Sequence, residues 1–406
     1  VRTLAVSLAP SRSLPEKDGQ AIDPASTDHR VARRGPSPRS LVVILLASSS
    51  PAFAQGVAVW SPGYEAAVLR YRSAAPEPSV SEICAWPPSR LREEVTALGA
   101  FRDRVRRSGD AATLSLWYRI PVRAALMLHT DCALGARQER SSAEVHESIA
   151  AEIAAMLRDD DANQAFARRW YGVMAGLACR ENRWWPDALG WAEKGLRDFP
   201  DSADLLVTVG AIDEALALQT SRSDPPPAGE GLADPAVRRM RSRLLQRQEV
   251  RDYLQKARQA LVAATAADPS LCEAHLRLGR VAWRLGQEAE ARSALEAVLA
   301  GKHARPEAFL AHLFMGRLDE DSGRLDEAAR SYVAALALEV NAQSARLALS
   351  QLRLRQGDAT IARAEAERAV RPGGSRLRPD PFWLYPWGPS VGVADRLEAL
   401  RREARP

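Results

Sequence analysis

At 406 residues the chain is long enough for two or three ordinary domains, or for one extended array of repeats. Apolar residues make up 46% and charged residues 26%, a balance that excludes a disordered chain and fits a folded one. The formal net charge of +5 is spread over 56 basic and 51 acidic residues, too even for a protein built to wrap nucleic acid.

Residues 1–54 read differently from the rest. Arg30, Arg33, Arg34 and Arg39 precede a short apolar run, Leu41 to Ala47, which is followed by Ala52-Phe53-Ala54. A basic flank, an apolar core and a small-x-small end are the parts of a secretory signal peptide. The run is too short to span a bilayer, which takes ~20 residues, and no cysteine follows it to take a lipid anchor. Cleavage is expected between Ala54 and Gln55, with export to the periplasm or the medium of a bacterium. The chain opens on Val1, and a start at Val31 gives the signal an ordinary length. Removing residues 1–54 takes seven basic and four acidic residues, leaving 49 against 47. Runs such as RDRVRR (102–107) and RRMRSR (238–243) then read as solvated helix faces.

After about residue 90, alanine, leucine, arginine and glutamate dominate and β-branched runs are scarce, which favours helix nearly throughout. Residues 64–72, 91–107, 123–138 and 143–158 carry helical patterns without clear repeat glycines, so 55–165 reads as degenerate repeats or an N-terminal helical cap. Further on, 203–219 reads as a first helix and 251–269 as the end of a second. The Pro- and Gly-rich stretch 220–235 between them forms a solvent loop, followed by a long helix from about 236. Cys84, Cys132, Cys179 and Cys272 include no C-x-x-C pair, and four cysteines permit three full pairings. Cys84 with Cys132 is the favoured pair, since both precede the regular repeats; buried free thiols are the alternative.

A period emerges in the second half. Gly286, Gly323 and Gly357 are each followed five residues later by alanine, at Ala291, Ala328 and Ala362. Four residues further stand Leu295, Tyr332 and Ala366, and twelve before each alanine is a small residue, Gly279, Gly316 or Ser350. Gly176 precedes Ala188 by the same interval, while Pro200 and Pro269 follow Ala188 and Ala257 by twelve. Helices that approach within ~8–10 Å need small residues where they cross. A glycine after the first helix suits a left-handed corner, where other residues meet a Cβ penalty. Proline stops the second helix for want of an N–H.

This pattern resembles the tetratricopeptide repeat (TPR) over about residues 166–371, best in 276–300 and 314–338. His275, His312 and Arg346 stand where the repeat usually has tryptophan. The resemblance implies an all-α, TPR-type helix-pair solenoid, a right-handed superhelix in which neighbouring pairs bury each other's apolar stripes. It also implies a concave groove lined by first helices and holding an extended or helical peptide. Carrying the phase residue by residue, the partner-binding set is Trp170, Arg180, Arg280, Trp283, Leu313, Arg317, Gln351 and Arg355, with Val173, Glu320 and Leu347 beside them. Arg280 and Arg317 fall at equivalent positions and are candidates to receive a carboxylate in a forked pattern, or else to pair with Glu320 and its neighbours. The lysine and asparagine arrangement of chaperone-tail-binding relatives is not evident.

No chemistry rises above this. There is no Gly-rich phosphate loop, no H-E-x-x-H and no nucleophile elbow. His129 and Cys132 lie three apart on one helix with no second ligand pair in sight in the sequence, so they read as structural. No catalytic residue, cofactor or metal is assigned. Residues 380–389 hold Phe382, Trp383, Tyr385 and Trp387 in six positions. That density suits a cap over the open end of the solenoid, sealed by a helix at 393–404, or alternatively a docking site. The reading is an exported scaffold for protein or peptide partners. An enzyme or enzyme subunit with a site in the N-terminal helical region is the first alternative, and a nucleic-acid-binding solenoid the second.

Overall fold

The computed structural model describes residues 80–107, 111–135, 140–159, 161–180, 185–224, 235–301, 304–370 and 379–404. The expected signal peptide, the helix at 64–72 and most of the loop at 220–235 lie outside them. Among the described residues there is no strand. The helices in order are α1 (Val80–Cys84), α2 (Pro88–Arg107), α3 (Ala111–Gly135), α4 (Arg140–Met156), α5 (Asp161–Arg180), α6 (Trp185–Asp198), α7 (Ala203–Arg222) and α8 (Pro235–Ala267). They continue with α9 (Cys272–Arg284), α10 (Glu288–Ala300), α11 (Arg305–Asp321), α12 (Leu325–Leu338), α13 (Gln343–Arg355) and α14 (Ala359–Val370). Last come α15 (Pro381–Leu384), a 3-10 segment (Tyr385–Ser390) and α16 (Val393–Ala404).

Consecutive helices pack as antiparallel pairs: α3 with α4, α5 with α6, α7 with α8, α9 with α10, α11 with α12, α13 with α14. Each second helix also packs on the next first helix, which makes the array a helix-pair solenoid of the TPR type. The pairing begins at α3, upstream of residue 166. α7 and the long α8 flank the Pro-rich stretch.

The repeat residues do what their chemistry requires. Gly286, Gly323 and Gly357 adopt φ of 79°, 78° and 86°. After each, a backbone N–H reaches back over the helix end: Gln287 to Ala282 O at 2.9 Å, Arg324 to Asp319 O at 2.8 Å, Asp358 to Arg353 O at 2.9 Å. That is the 6→1 bond of a helix end turned through a left-handed residue. At the crossing points, a Cβ on Gly279 would meet the Leu295 side chain at 2.7 Å, and one on Gly316 would run into the Tyr332 ring. Ser350 fits at the third crossing because its hydroxyl donates to Ala362 O at 2.7 Å.

The apolar interior is continuous along the array but divides into three clusters. One gathers α2–α7 together with α16, a second joins α7 to α10, and the third fills α9–α13 and takes in Tyr385. At the N-terminal end a disulfide links Cys84 to Cys132, the expected pair, tying α1 to α3. Cys179 is buried as a free thiol, and Cys272 is half-buried.

Candidate functional site

The C-terminal segment lies along the face built by the first helices, where a partner was expected. Asp380 accepts from Ser344 N at 2.7 Å and Ser344 Oγ at 3.0 Å, on α13. Phe382 and Tyr385 both set their rings edge-on to Phe314 of α11, at 6.5 and 5.2 Å. The Tyr385 ring also lies against the Arg277 and Arg280 guanidiniums of α9, at 4.6 and 4.7 Å. Its hydroxyl donates to Glu214 Oε2 of α7 at 2.9 Å.

Beyond it, a Cβ on Gly176 of α5 would collide with the Pro389 carbonyl and meet Val393 at 3.0 Å. Gly176, in phase with Gly279 and Gly316, thus admits the tail rather than a partner helix. α16 then buries Val393, Leu397, Leu400 and Ala404, a stripe at helical spacing, against α3 and α5. Arg401 pairs with Asp131 at 2.6 Å, and Glu403 with Arg169 at 2.7 Å and Arg123 at 3.3 Å. In some two dozen residues the tail touches all six first helices in reverse order.

This corrects the expectation of a cap over the open end. An aromatic segment seeks a buried acceptor and aromatic neighbours, and Glu214, Arg277 and Phe314 supply them in the middle of the array. The aromatic residues also divide: Tyr385 is buried and Phe382 half-buried, whereas Trp383 and Trp387 are about half exposed, at 52% and 49%.

The centre of the site is a buried ionic knot. Glu214 receives Arg277 Nη1 at 3.1 Å and Arg280 Nη1 at 2.5 Å, with side chains almost fully removed from water. Arg277 Nε also binds Glu273 at 2.9 Å. Burial works against the charge on Arg277 and Arg280, but Tyr385 and the nearby carboxylates outweigh it and raise both pKa values. Burial, then Glu214, raises the Tyr385 phenol, so Tyr385 stays a donor. Beside the knot, Asp213 is buried with its Oδ1 unpaired, and burial lifts its carboxyl to about 6 against the counter-pull of Lys256.

The sequence-derived groove residues separate by location. Trp170 is wholly buried, donating from Nε1 to Thr130 Oγ1 at 2.8 Å; Val173 and Leu313 are also core. These three cannot meet a partner, because their helices turn those positions toward neighbouring helices. Arg280 is spent on Glu214 and the tail. It does not join Arg317, so the two form no shared carboxylate clamp. Arg317 instead bonds Glu320 at 3.3 Å and Gln351 at 3.4 Å, and Arg355 pairs with Glu320 at 2.8 Å. Trp283 is half-buried, its Nε1 donating to Asp321 at 2.8 Å, and Arg180 is exposed at the end of α5. Arg317, Gln351, Arg355 and Trp283 therefore gather on α9, α11 and α13, while Arg180 stands apart. Sequence reasoning missed Glu214 and Arg277, and singled out Tyr385 only as one of four aromatic residues in a cap or docking segment. The signal was the acidic pair Asp213-Glu214 inside the apolar helix LLVTVGAIDEALAL (205–218).

The N-terminal region, considered for an active site, holds a second polar centre. His129 and His146 face each other, Nδ1 to Nδ1 at 3.0 Å, and His146 Nε2 meets the Cys84 carbonyl at 3.0 Å. Both rings are buried, and burial followed by His146 lowers the His129 pKa to about 4. The pair is held between α1, α3 and α4. A separate surface hollow of ≈ 440 Å³ between α4 and α6 is lined by Glu144, Glu147, Glu152 and Asp198 with Lys194 and Arg197. Among the described residues no three His, Cys, Asp or Glu side chains are grouped to hold a metal ion, and no helix is long and apolar enough to cross a membrane.

No family model matches the chain, and no curated protein matches it. Among solved structures, a crystal structure of MamA aligns over 48% of this chain and 92% of its own at 15% identity, with a TM-score of 0.35. MamA from Desulfovibrio magneticus RS-1, from position 41 to its end, aligns over 50% and 98% at 16% identity and a TM-score of 0.36. A human IFIT1 dimer with PPP-AAAA aligns over 61% and 55% at 16% identity and a TM-score of 0.34. The assignment to a TPR-type solenoid rests on the helix pairing, the left-handed glycine corners and the crossing residues described above.

Proposed function

We propose that this chain is an exported scaffold that recognises short segments of protein partners along its first-helix face and has no catalysis of its own. One observation carries the reading: that face already holds a short helical, aromatic and proline-flanked segment, its own residues 380–390, by hydrogen bonds, ring contacts and a buried ionic knot. A surface that grips one such segment has the shape and donors to grip another. The stretch of α9, α11 and α13 that carries Trp283, Arg317, Gln351 and Arg355 is where a partner segment enters. Export is supported by the Cys84–Cys132 disulfide, a bond that persists in oxidising compartments.

The experiment compares intact protein with the Tyr385→Ala variant for binding a labelled peptide of residues 379–392, by fluorescence anisotropy. Circular dichroism checks that both are folded. The loosened variant should bind the peptide at least tenfold more tightly than the intact protein. Equal, negligible binding by a folded variant would overturn segment recognition by this face.

A further inference from the structure

α8 is longer than its unit requires. It has 33 residues, whereas its hairpin partner α7 has 20 and the second helices α10, α12 and α14 have 12 to 14. Gln246 Nε2 reaches both Thr220 O and Ser223 O at 2.7 Å, which sets residue 246 level with the end of α7. Residues 235–245 therefore overhang their partner helix by eleven residues, about 16 Å at 1.5 Å per residue.

This spur is exposed on nearly every side and carries large apolar side chains among its arginines. Met240 is 64% exposed, Leu244 55%, Leu245 47% and Val237 46%. Val237, Met240 and Leu244 follow the i, i+3, i+7 spacing that places them on one stripe. Ser242, on the opposite side, is buried and Gln246 half-buried. The apolar stripe thus points away from the array. Around it stand Arg238, Arg239, Arg241, Arg243 and Arg247, and no acidic residue occurs from 235 to 248.

An apolar stripe this exposed costs solubility unless something covers it, and the spacing says what fits. With Val237 and Leu244 at a positions of a heptad and Met240 at d, Arg241 falls at e and Arg243 at g, the flanks that choose a partner by charge. A second copy of the spur would bring a like set of arginines against this one and is repelled. We propose that the face of α8 centred on Val237, Met240 and Leu244 docks an amphipathic helix of a protein partner whose flanking positions are glutamate or aspartate. The site is separate from the first-helix face and does not depend on how that face is used.

The test uses the full-length protein and a labelled 21-residue helical peptide with leucine at a and d and glutamate at e and g. Binding is read by anisotropy. The same peptide with lysine flanks, vesicles of three parts phosphatidylcholine to one of phosphatidylglycerol, and a single-stranded oligonucleotide complete the comparison. The glutamate peptide should bind, and Met240→Ser/Leu244→Ser should weaken it at least tenfold without changing the circular dichroism spectrum. Arg241→Glu/Arg243→Glu should weaken it likewise and admit the lysine peptide. Failure of the glutamate peptide to bind, indifference to both pairs of substitutions, or tighter binding to vesicles or oligonucleotide would each overturn the proposal.

Discussion

The two halves of the array solve the same packing problem with different means. From α9 to α14 the units are short and repeated: left-handed glycines turn the corners, and Gly279, Gly316 and Ser350 let paired helices close on each other. From α3 to α7 the corners lack that glycine pattern, and the first helices run to 20 or 25 residues. Longer helices expose more apolar surface on their inner side, and α16 with the 3-10 segment covers it. Repetition stabilises one half mainly through neighbouring units, with the tail adding Asp380, Phe382 and Tyr385 to α9, α11 and α13, whereas the other is completed by a segment roughly 200 residues away in sequence. A contact so remote is set by a few specific residues, and here those are Glu214, Tyr385 and Gly176.

Breaking that completion should have the largest effect. Ending the chain at 378 strips cover from the cluster that holds Val393, Leu397 and Leu400 and removes Tyr385 from the centre. At ~1.5–3 kcal/mol per buried side chain, the loss is roughly 6 kcal/mol or more, read as an early, separate transition in denaturant melts. Glu214→Gln leaves Arg277 and Arg280 buried without their shared carboxylate and should cost ~3–5 kcal/mol. Tyr385→Phe, which removes only the hydroxyl, should cost ~1–2 kcal/mol in the same melts.

Two titrations sharpen the contrast, because their signs oppose. His129 is held neutral in the fold, with a pKa of about 4 against an ordinary 6.5. The unfolded chain binds the proton first, so stability should fall as pH drops from 6.5 to 4, by about 3 kcal/mol. In His129→Gln that decline should disappear. Asp213 is raised to about 6 from an ordinary 3.8. Here the fold holds the proton longer, so its contribution is present below pH 4 and is lost as pH rises to 6. Asp213→Asn should therefore raise stability at pH 7 by ~3 kcal/mol and leave it unchanged at pH 3.5. Denaturant midpoints across pH 3.5–7.5 read both.

Local rules made the regular half legible. A glycine that must turn left-handed, a small residue at a crossing and a proline after a helix are each forced by backbone sterics, so Gly286, Gly279 and Pro269 could be placed from sequence. The Cys84–Cys132 pair followed from its position before the repeats. The groove residues were less legible, since a helical phase gives a face but not what covers it. Arg280 lies on the first-helix face as expected, yet its donor is taken by Glu214 and its surface by Tyr385. Trp170 was lost to the core because a large aromatic with one donor is best satisfied inside, at Thr130. The solvated-face reading of 238–243 saw the arginines but not Met240 among them and Leu244 just beyond, whose exposure depends on how far α8 outruns α7.

Hydrogen–deuterium exchange on the intact protein and on a chain ending at 378 tests most directly where the tail lies. Removal of the tail should raise exchange in α3, α5 and α7 while leaving α12 and α14 as they were. Exchange rising at α13 and α14 instead, with α3 to α7 unchanged, would place the segment over the open end and contradict a tail seated along the first helices.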